Sequence, residues 1–476
     1  MHEEILDRAR LARDPRFDGR FFVGVRTTGI YCRPVCPAVA PRRENVEFFP
    51  SAAAAGEAGY RPCLRCRPES APGSPAWAGT STTVRRGLRL IDAGALDADS
   101  VERLAERLGV TSRHLHRLFT THVGASPLAV AQTRRLHFAK RLVDETQLPL
   151  GDVAIAAGYG SVRRFNDAFR RNWGRPPREL RRQRRQPAVD GATLTVTLPR
   201  REPYAWSQVT DYYALRAIPG VEECTAGVYR RALVVGDADA IVEVRDGPAG
   251  CLRLGLGNVP AERLFDLVRT ARDVFDTDAP THEIAEALSV DPRLRGLLER
   301  LPGVRVPGAW DGFELTVRAI LGQQISVRAA TTIAGRIVAR YGTPLARPSG
   351  ALTHLFPTAE KLRRARFSRI GLVQSRARTL RQLAAAVCDG DVHFDPLQDA
   401  DDFRRRLTAI RGIGDWTAQY VMLRALKHPD ALPSSDLGLI RALEPGRRVT
   451  PRELEARAEA WRPWRAYGAM LLWSAA

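Results

Sequence analysis

The stretch Ile410-Arg-Gly-Ile-Gly-Asp-Trp-Thr-Ala-Gln-Tyr420 is the part of the sequence that most strongly predicts the architecture of the chain. Its two closely spaced glycines predict two helices joined by a tight hairpin. In such a hairpin, backbone N–H groups and the N-terminus of the second helix point outward, so Gly412 and Gly414 are candidate DNA-phosphate contacts. The hairpin alone also occurs in DNA binders that have no enzymatic activity, so it predicts nucleic-acid binding before catalysis.

Three further stretches lie on both sides of this hairpin in the sequence. They are Arg318-Ala-Ile-Leu-Gly-Gln-Gln-Ile-Ser326, Leu432-Pro-Ser-Ser-Asp436-Leu-Gly-Leu-Ile440, and Trp461 to Trp473. With the hairpin they resemble the AlkA-type 3-methyladenine DNA glycosylases of the helix-hairpin-helix superfamily, over residues 301–476. The strand-rich residues 190–300 fit the small mixed α/β domain that precedes the helical domain in that family. The resemblance implies an enzyme that excises alkylated purines from double-stranded DNA by hydrolysing the N-glycosidic bond.

Asp436 matches the catalytic carboxylate of this family. Its expected task is to stabilise the cationic sugar that forms as the glycosidic bond breaks, or to orient the attacking water. One carboxylate can suffice, because an alkylated purine already carries positive charge and leaves readily. Outside this motif, an aspartate in front of a helix is more commonly an N-cap.

Aromatic residues match positions near the base pocket of the family, namely Trp416, Tyr420 and Trp473. Their electron-rich faces would stack on a flipped, cationic base, although each could instead pack in the core. Gln324 stands where a well-known relative has an apolar wedge that fills the gap left by the flipped nucleotide. Its polarity leaves that DNA-binding role open.

The hairpin also predicts the type of glycosylase. Members of the superfamily that cut the DNA strand carry a lysine in the hairpin region, because Schiff-base chemistry needs an amine. Trp416 occupies that position here, so we expect a monofunctional enzyme that leaves an abasic site. Cys388 is the one cysteine of this C-terminal part, which excludes an iron–sulfur cluster there.

The net charge of the chain predicts a polyanionic partner. The 476 residues carry a formal charge of +20, of which residues 1–185 contribute +14. A charge this large favours nucleic acid over a membrane surface. No run of about 18 apolar residues is present, so we expect no membrane span. The charged N-terminus lacks the apolar core of a signal peptide, so we expect a cytoplasmic, nucleoid-associated protein.

Between two predicted linkers, at 70–75 and 181–187, the residues 77–185 are typical of consecutive short helices. Asp99-Ser-Val-Glu102 has the spacing of a capping box, Gly109 turns the chain, and Thr111 or Ser112 caps a second helix. Exposed side chains of that second helix are candidates for reading the DNA major groove. They are Arg113, His114 and Arg117.

A second copy of this helix-turn-helix pattern follows, with a turn at Gly158. Phe165 and Phe169 form its apolar side and leave Arg163 and Arg164 free for DNA. The paired units and the tail Phe165 to Leu180 resemble the AraC-type activator module. The resemblance implies promoter DNA and RNA polymerase as partners.

Four of the seven cysteines lie between residues 32 and 66, as Cys32-x3-Cys36 and Cys63-x2-Cys66. Four thiolates satisfy the softness and tetrahedral preference of zinc. The spacing alone predicts one zinc ion, which in an arbitrary protein is most often structural. The remaining three cysteines are expected to be small core residues; they are Cys224, Cys251 and Cys388.

The stretch Phe21-Phe-Val-Gly-Val-Arg-Thr-Thr-Gly-Ile-Tyr-Cys-Arg-Pro-Val-Cys-Pro37, with residues 43–49 and 59–68, resembles the N-terminal zinc domain of Ada-type alkylation-response proteins. In that family one zinc thiolate irreversibly accepts a methyl group from a DNA methylphosphotriester, and Cys32 matches the acceptor. Zinc keeps the sulfur deprotonated. Methylation would change the site's charge from −2 to −1 and weaken its repulsion of DNA, which provides a switch.

We therefore predict a multidomain, mainly α-helical protein that acts as a monomer in DNA alkylation repair and response. Two alternatives remain open: a transcription regulator whose glycosylase-like domain only binds damage, and an enzyme whose zinc is purely structural. A second methyltransferase is not expected, because the Pro-Cys-His-Arg motif of the usual Ada C-terminal domain is absent. The predicted domains are a small zinc α/β domain (1–72), an all-α double helix-turn-helix domain (77–185), a mixed α/β domain (190–300) and an all-α helix-hairpin-helix glycosylase domain (301–476).

Overall fold

A computed structural model describes residues 2–71, 82–92, 94–97, 99–182, 194–248, 250–395, 398–447 and 449–475. The predicted linkers lie largely outside these residues. The chain divides into two compact units, one formed by Met1–Glu202 and Val259–Arg269, the other by Pro203–Asn258 and Thr270–Ala476. The expected multidomain, mainly helical architecture is confirmed, whereas the four domain boundaries stay a prediction.

The first unit begins with a small four-stranded sheet. Its strands have the order β3-β1-β2-β4, and β1 is antiparallel to both of its neighbours. Strand β2 runs parallel to β4 in a register that pairs Ile30 with Arg61 and Tyr31 with Pro62. The next residues of the two strands, Cys32 and Cys63, are therefore brought side by side. The elements are α1 (Glu3–Leu11), β1 (Phe22–Val25), β2 (Ile30–Cys32), β3 (Val46–Phe49), α2 (Ala52–Glu57) and β4 (Arg61–Pro62).

The remainder of this unit contains both predicted helix-turn-helix motifs. Gly109 and Gly158, each with a positive φ, turn the chain inside the two motifs. The N-cap of α4 is Ser100, one residue after the Asp99 of the predicted capping box, whereas Thr111 caps α5 as expected. The elements are α3 (Thr82–Asp92), α4 (Val101–Arg107), α5 (Ser112–Val123), α6 (Pro127–Glu145), α7 (Leu150–Ala156), α8 (Val162–Trp173), α9 (Pro177–Arg182) and β5 (Leu194–Pro199).

In the second unit, four consecutive antiparallel strands form a sheet. The alternating runs at 227–235 and 240–244 predict β7 and β8, whereas the sequence did not predict β6, which has four residues, or β9, which contains two glycines. Helix α10 precedes the sheet, and the division between the two units falls within α11. The elements are α10 (Trp206–Ala214), β6 (Glu222–Thr225), β7 (Val228–Val235), β8 (Ala238–Asp246), β9 (Cys251–Gly257) and α11 (Leu264–Val274).

The C-terminal part is helical except for one β-hairpin, so its prediction as all-α is wrong at that point. Two prolines in Thr343-Pro-Leu-Ala-Arg-Pro-Ser-Gly350 exclude a helix, and Gly350 turns the hairpin with a φ of 62°. None of the described helices is both long and apolar enough to cross a membrane. The elements are α12 (Thr281–Leu288), α13 (Pro292–Arg300), α14 (Gly312–Gly322), α15 (Val327–Tyr341), β10 (Thr343–Ser349), β11 (Leu352–Leu355), α16 (Ala359–Arg363), α17 (Gln374–Cys388), α18 (Ala400–Thr408), α19 (Asp415–Arg424), α20 (Leu437–Leu443), α21 (Pro451–Ala458) and α22 (Arg465–Trp473).

Candidate functional site

The four N-terminal cysteines come together as predicted. Cys32 ends β2, Cys63 directly follows β4, and Cys36 and Cys66 lie on the turns that follow. All four Sγ atoms lie within 4.8 Å of one another. A tetrahedral zinc ion with Zn–S bonds of about 2.3 Å requires sulfurs about 3.8 Å apart, so the cluster has the size that zinc needs.

The protonation of these thiols also fits a metal site. Hydrogen bonds from the other three thiols lower the pKa of Cys63, while hydrogen bonds with neighbouring thiols raise the pKa of Cys32 and Cys66. Four thiols this close therefore cannot all lose their protons unless a cation compensates their charge. The cluster is a one-zinc, four-cysteine site.

The four sulfurs differ in their backbone hydrogen bonds. The N–H of Arg33 donates to Cys66 Sγ at 3.3 Å, and the N–H of Arg65 donates to Cys63 Sγ at 3.4 Å. Both of these acceptors are buried, whereas Cys32 and Cys36 are only half-buried. The N–H···S bonds thus engage the buried pair of sulfurs and leave the half-buried pair, Cys32 and Cys36, as the candidates for a nucleophile.

Two contacts that the sequence did not reveal anchor the metal site to α6. The hydroxyl of Tyr31, next to Cys32, lies 2.9 Å from Nε2 of His137. Burial lowers the pKa of His137 to about 4, so this contact involves a neutral imidazole. Arg67, next to Cys66, forms an ion pair of 3.0 Å with Asp144. More than seventy residues separate the partners in each pair, and no motif links them.

The structure leaves the predicted DNA-reading side chains of both helix-turn-helix motifs at the surface or close to it. Arg113 and Arg117 on α5 are exposed, and His114 is half-buried, with its Nδ1 3.0 Å from the guanidinium of Arg117. Arg163 and Arg164 on α8 are exposed. The opposite faces are fully buried and consist of Leu115 and Phe119 in the first motif and Phe165 and Phe169 in the second.

Asp436 lies at the N-terminus of α20 and accepts three hydrogen bonds. Its Oδ1 accepts the backbone N–H of Leu439 at 3.0 Å, so the N-cap interpretation is correct. The same carboxylate accepts the indole N–H of Trp416 at 2.8 Å and that of Trp473 at 2.9 Å. Three donors fix the half-buried carboxylate in one position, as a preorganised anion requires.

The predicted pocket aromatics surround this carboxylate. Trp416 and Tyr420 stack with ring centres 5.5 Å apart and planes 10° apart, and Trp473 meets Tyr420 edge to face at 6.1 Å. The structure thus brings all three together with Asp436. It also adds Tyr212 of α10, whose hydroxyl lies 2.9 Å from that of Tyr420. Sequence reasoning missed Tyr212, because it belongs to the preceding α/β segment and to no motif.

The hairpin of the helix-hairpin-helix element contains both predicted glycines. Gly412 has a φ of 96°, and a Cβ there would lie 2.2 Å from Oγ1 of Thr379, so glycine is required. A Cβ at Gly414 would meet nothing within 4 Å, which leaves space in front of α19. Gln324 is exposed with a φ of 57°, whereas its neighbour Gln323 donates to the carbonyl of Gly412 at 3.0 Å. Gln323, which supports the hairpin, was not predicted.

The other three cysteines were expected to be small core residues, and a core residue would be fully buried. Cys224, Cys251 and Cys388 are each only partly buried. Cys224 donates from its thiol to the carbonyl of Thr210 at 3.4 Å. Among the described residues, none of these three belongs to a metal-binding group.

Comparison with known proteins identifies each part of the chain. Four family profiles match in order: the metal-binding domain of Ada at residues 6–69, a helix-turn-helix domain at 104–183, the AlkA N-terminal domain at 195–311, and the HhH-GPD superfamily of base excision DNA repair proteins at 317–466. The fold of 3-methyladenine DNA-glycosylase from Archaeoglobus fulgidus is similar, with a TM-score of 0.52 and 22% identity over 58% of this chain and 96% of that one.

Two curated relatives cover these parts in different combinations. DNA-3-methyladenine glycosylase 2 of Escherichia coli is 33% identical over 58% of this chain and 96% of its own length. The probable bifunctional transcriptional activator/DNA repair enzyme AlkA of Mycobacterium tuberculosis is 42% identical over 98% of this chain and 95% of its own. With its Ada-type zinc site and its two DNA-binding modules, the chain belongs to the family of bifunctional Ada/AlkA transcriptional activators and DNA repair enzymes, and its partner is double-stranded DNA.

Proposed function

We propose that this protein repairs alkylated DNA by two routes and uses the first route as a signal. Cys32 accepts a methyl group from a DNA methylphosphotriester, and the C-terminal glycosylase excises alkylated purines of the 3-methyladenine type. The excision activity is supported above all by the carboxylate of Asp436, held between the indoles of Trp416 and Trp473. The helix-turn-helix motifs then bind promoter DNA, and the protein acts as a monomeric transcriptional activator that contacts RNA polymerase. It does so in the cytoplasm, on nucleoid DNA.

The methyl transfer is a substitution at carbon. The Cys32 sulfur attacks the methyl carbon and forms a C–S bond. The bond between that carbon and the ester oxygen breaks, and the oxygen stays on phosphorus, so the leaving group is a phosphodiester anion. Zinc, when bound, keeps the sulfur deprotonated without a separate base. Cys32 and Cys36 are the half-buried sulfurs of the cluster, and we assign the transfer to Cys32 because it matches the methyl-accepting position of the Ada-type zinc domain. Loss of the thiolate charge would then strengthen DNA binding.

We expect one methyl group, on Cys32, after the full-length protein is incubated with DNA that contains methylphosphotriesters. Peptide mass spectrometry locates the modification. The Cys32→Ser variant should gain no methyl group, and Cys388→Ser, which changes a cysteine outside the cluster, should gain one as the unmodified sequence does. A methyl group on Cys36, or on no cysteine at all, would show that the acceptor assignment is wrong.

In the excision route, a flipped base stacks against the rings of Trp416 and Tyr420, and Asp436 faces the sugar. Stacking and cation–π attraction favour a positively charged alkylated base over an ordinary one. As the glycosidic bond breaks, the negative carboxylate stabilises the positive charge that develops on the sugar, and a water molecule then attacks the sugar. The products are the free base and an abasic site.

We expect no strand cleavage by this enzyme. Its C-terminal unit contains two lysines, and both ammonium groups are engaged: Lys427 binds Asp276 at 2.9 Å, and Lys361 donates to Thr343 at 2.7 Å. Neither lysine lies in the hairpin, where Trp416 stands at the position of the lysine that Schiff-base chemistry needs. Borohydride should therefore trap no covalent protein–DNA complex, and a glycosylase/lyase serves as the positive control. A trapped complex, or strand cleavage above the heat control, would contradict a monofunctional mechanism.

The competing proposal is a regulator whose glycosylase unit binds damage without catalysis. It is favoured by the basic N-terminal region, which carries +14 of the net charge of +20. The first proposal expects the wild type to release damaged bases in a reaction that depends on Asp436, and the second expects no release. A wild-type protein that binds alkylated duplex DNA but frees no base would support the regulator.

A further inference from the structure

The hydroxyl groups of Tyr212 and Tyr420 form a pair, here called the tyrosine pair, that the excision mechanism above does not use. Their oxygens lie 2.9 Å apart. The ring of Tyr420 stacks on Trp416, whose indole N–H binds Asp436, so only one aromatic ring separates the pair from the carboxylate. The tyrosine pair therefore lies beside the rings on which we propose that a flipped base stacks.

Two guanidinium groups flank the tyrosine pair. Arg424 is buried and donates from Nη1 to the hydroxyl oxygen of Tyr420 at 2.9 Å. Its Nε donates to the carbonyl of Pro307 and its Nη2 to that of Gly308, both at 2.8 Å. The guanidinium of Arg216 lies 3.8 Å from the centre of the Tyr212 ring. Within the part of the chain that the structure describes, neither arginine forms an ion pair with a carboxylate.

These unpaired cations create an electrostatic conflict in the pocket. A buried cation without a counter-charge is costly, and a positively charged base beside Arg424 would add like-charge repulsion. The hydroxyl of Tyr420, which accepts directly from Arg424, can provide a negative charge once its proton has left. The hydroxyl of Tyr212 is placed to donate a hydrogen bond to the phenolate that results.

We propose that the tyrosine pair is a specificity element of the base pocket, which loses one proton and becomes the counter-charge of a cationic alkylated base. The O–H bond of Tyr420 breaks, the proton passes to bulk water, and Tyr212 donates to the phenolate. A neutral damaged base gains nothing from this ionisation. The inference rests on the proposed base excision and adds a means by which the pocket distinguishes cationic from neutral bases.

The surroundings of the pair favour this ionisation. Burial raises the pKa of Tyr420, but Arg424, Arg216 and the hydrogen bond from Tyr212 outweigh it and lower that pKa to about 8. Burial raises the pKa of Tyr212 to about 12, so a single proton leaves the pair in the neutral to mildly alkaline range. The other titratable or charged groups nearby are Tyr213, which donates to backbone carbonyls, Glu222 and Arg318, which pair with each other, and Asp436.

The test compares two substrates across pH with the full-length protein. One duplex carries 3-methyladenine, a cationic base, and the other carries hypoxanthine, a neutral base. In the wild type, the ratio of the single-turnover rates for the two bases should rise about threefold or more as pH passes through 8. Tyr212→Phe removes the donor to the phenolate, so the rise should move to higher pH and the ratio at about pH 8.5 should fall about threefold. The wild type and Tyr212→Phe act on the same two duplexes, so any ionisation of the substrate affects both proteins equally and cancels when they are compared.

A matched control and a second measurement separate the outcomes. Tyr341→Phe removes a hydroxyl that accepts from the N–H of Phe367, away from the pair, and should leave the ratio unchanged. Ultraviolet titration of the wild type should show one tyrosine ionising near pH 8, whether or not the variants fold. If no tyrosine ionises below about pH 9, or if Tyr212→Phe has the wild-type ratio at every pH, the inference is wrong. If the wild type frees neither base, the proposed excision itself fails.

Discussion

Asp436→Asn should lower the rate of base release from alkylated duplex DNA by at least about 100-fold, the usual effect of removing a preorganised charge from a transition state. Asparagine has the same shape as aspartate and is an equally good N-cap, so the hydrogen bond from Leu439 and helix α20 should persist. The negative charge that faces the sugar is lost. One indole that now donates to a carboxylate oxygen would instead meet an amide N–H group, at a cost of about 1 kcal/mol in the free energy of unfolding.

The control for this variant is Asp399→Asn, which makes the same change at the N-cap of α18. It should leave the single-turnover rate within about twofold of the wild type, since surface substitutions rarely alter a site that they do not touch. Quantification of the free base measures both variants, and circular dichroism checks their folding. Wild-type base release by a folded Asp436→Asn would exclude the carboxylate from the chemistry. Equal losses in both variants would show that the effect is one of helix capping.

The sequence predicts the components of both sites because their residues lie within short motifs. Cys32 and Cys36 belong to one stretch, and the hairpin glycines and Trp416 belong to another. What the motifs cannot predict is how segments pair in space. The parallel register of β2 and β4, which places Cys32 beside Cys63, is not encoded in the spacing of the cysteines.

The contacts that were missed share one physical property: each joins residues far apart in sequence through a single polar interaction. Tyr212 and Tyr420 are 208 residues apart, and Tyr31 and His137 are 106 apart. A hydrophobic period indicates which face of α10 is buried, but it does not show which hydroxyl meets another across the core. Asp436 illustrates the opposite case. In the sequence, a helix-capping role and a catalytic role are alternatives for this residue. In the structure, one carboxylate accepts both the capping N–H of Leu439 and the indole N–H of Trp416.

Cys63→Ser should lose the zinc ion entirely and abolish methyl transfer. A neutral serine hydroxyl is a poor zinc ligand, and three thiolates without the fourth do not close the tetrahedral site. Zinc binding contributes about 10 kcal/mol or more to the folding of small zinc domains. The backbone N–H of Cys63 donates to the carbonyl of Tyr31 at 3.0 Å, so the loop that loses its metal also carries the pairing of β2 with β4. We expect the zinc content to fall from one ion per chain to none.

A colorimetric zinc assay on the denatured protein measures the metal content. Limited proteolysis should show that residues 1–71 are cleaved faster in Cys63→Ser than in the wild type. Cys388→Ser is the matched control, because it replaces a half-buried cysteine outside the cluster and should keep both zinc and methyl transfer. Base release by Cys63→Ser should persist, since Asp436 belongs to the other compact unit. Retention of one zinc ion per chain in Cys63→Ser would refute the four-cysteine site. Methyl transfer by a zinc-free protein at the wild-type rate would instead show that the metal holds the fold and does not activate Cys32.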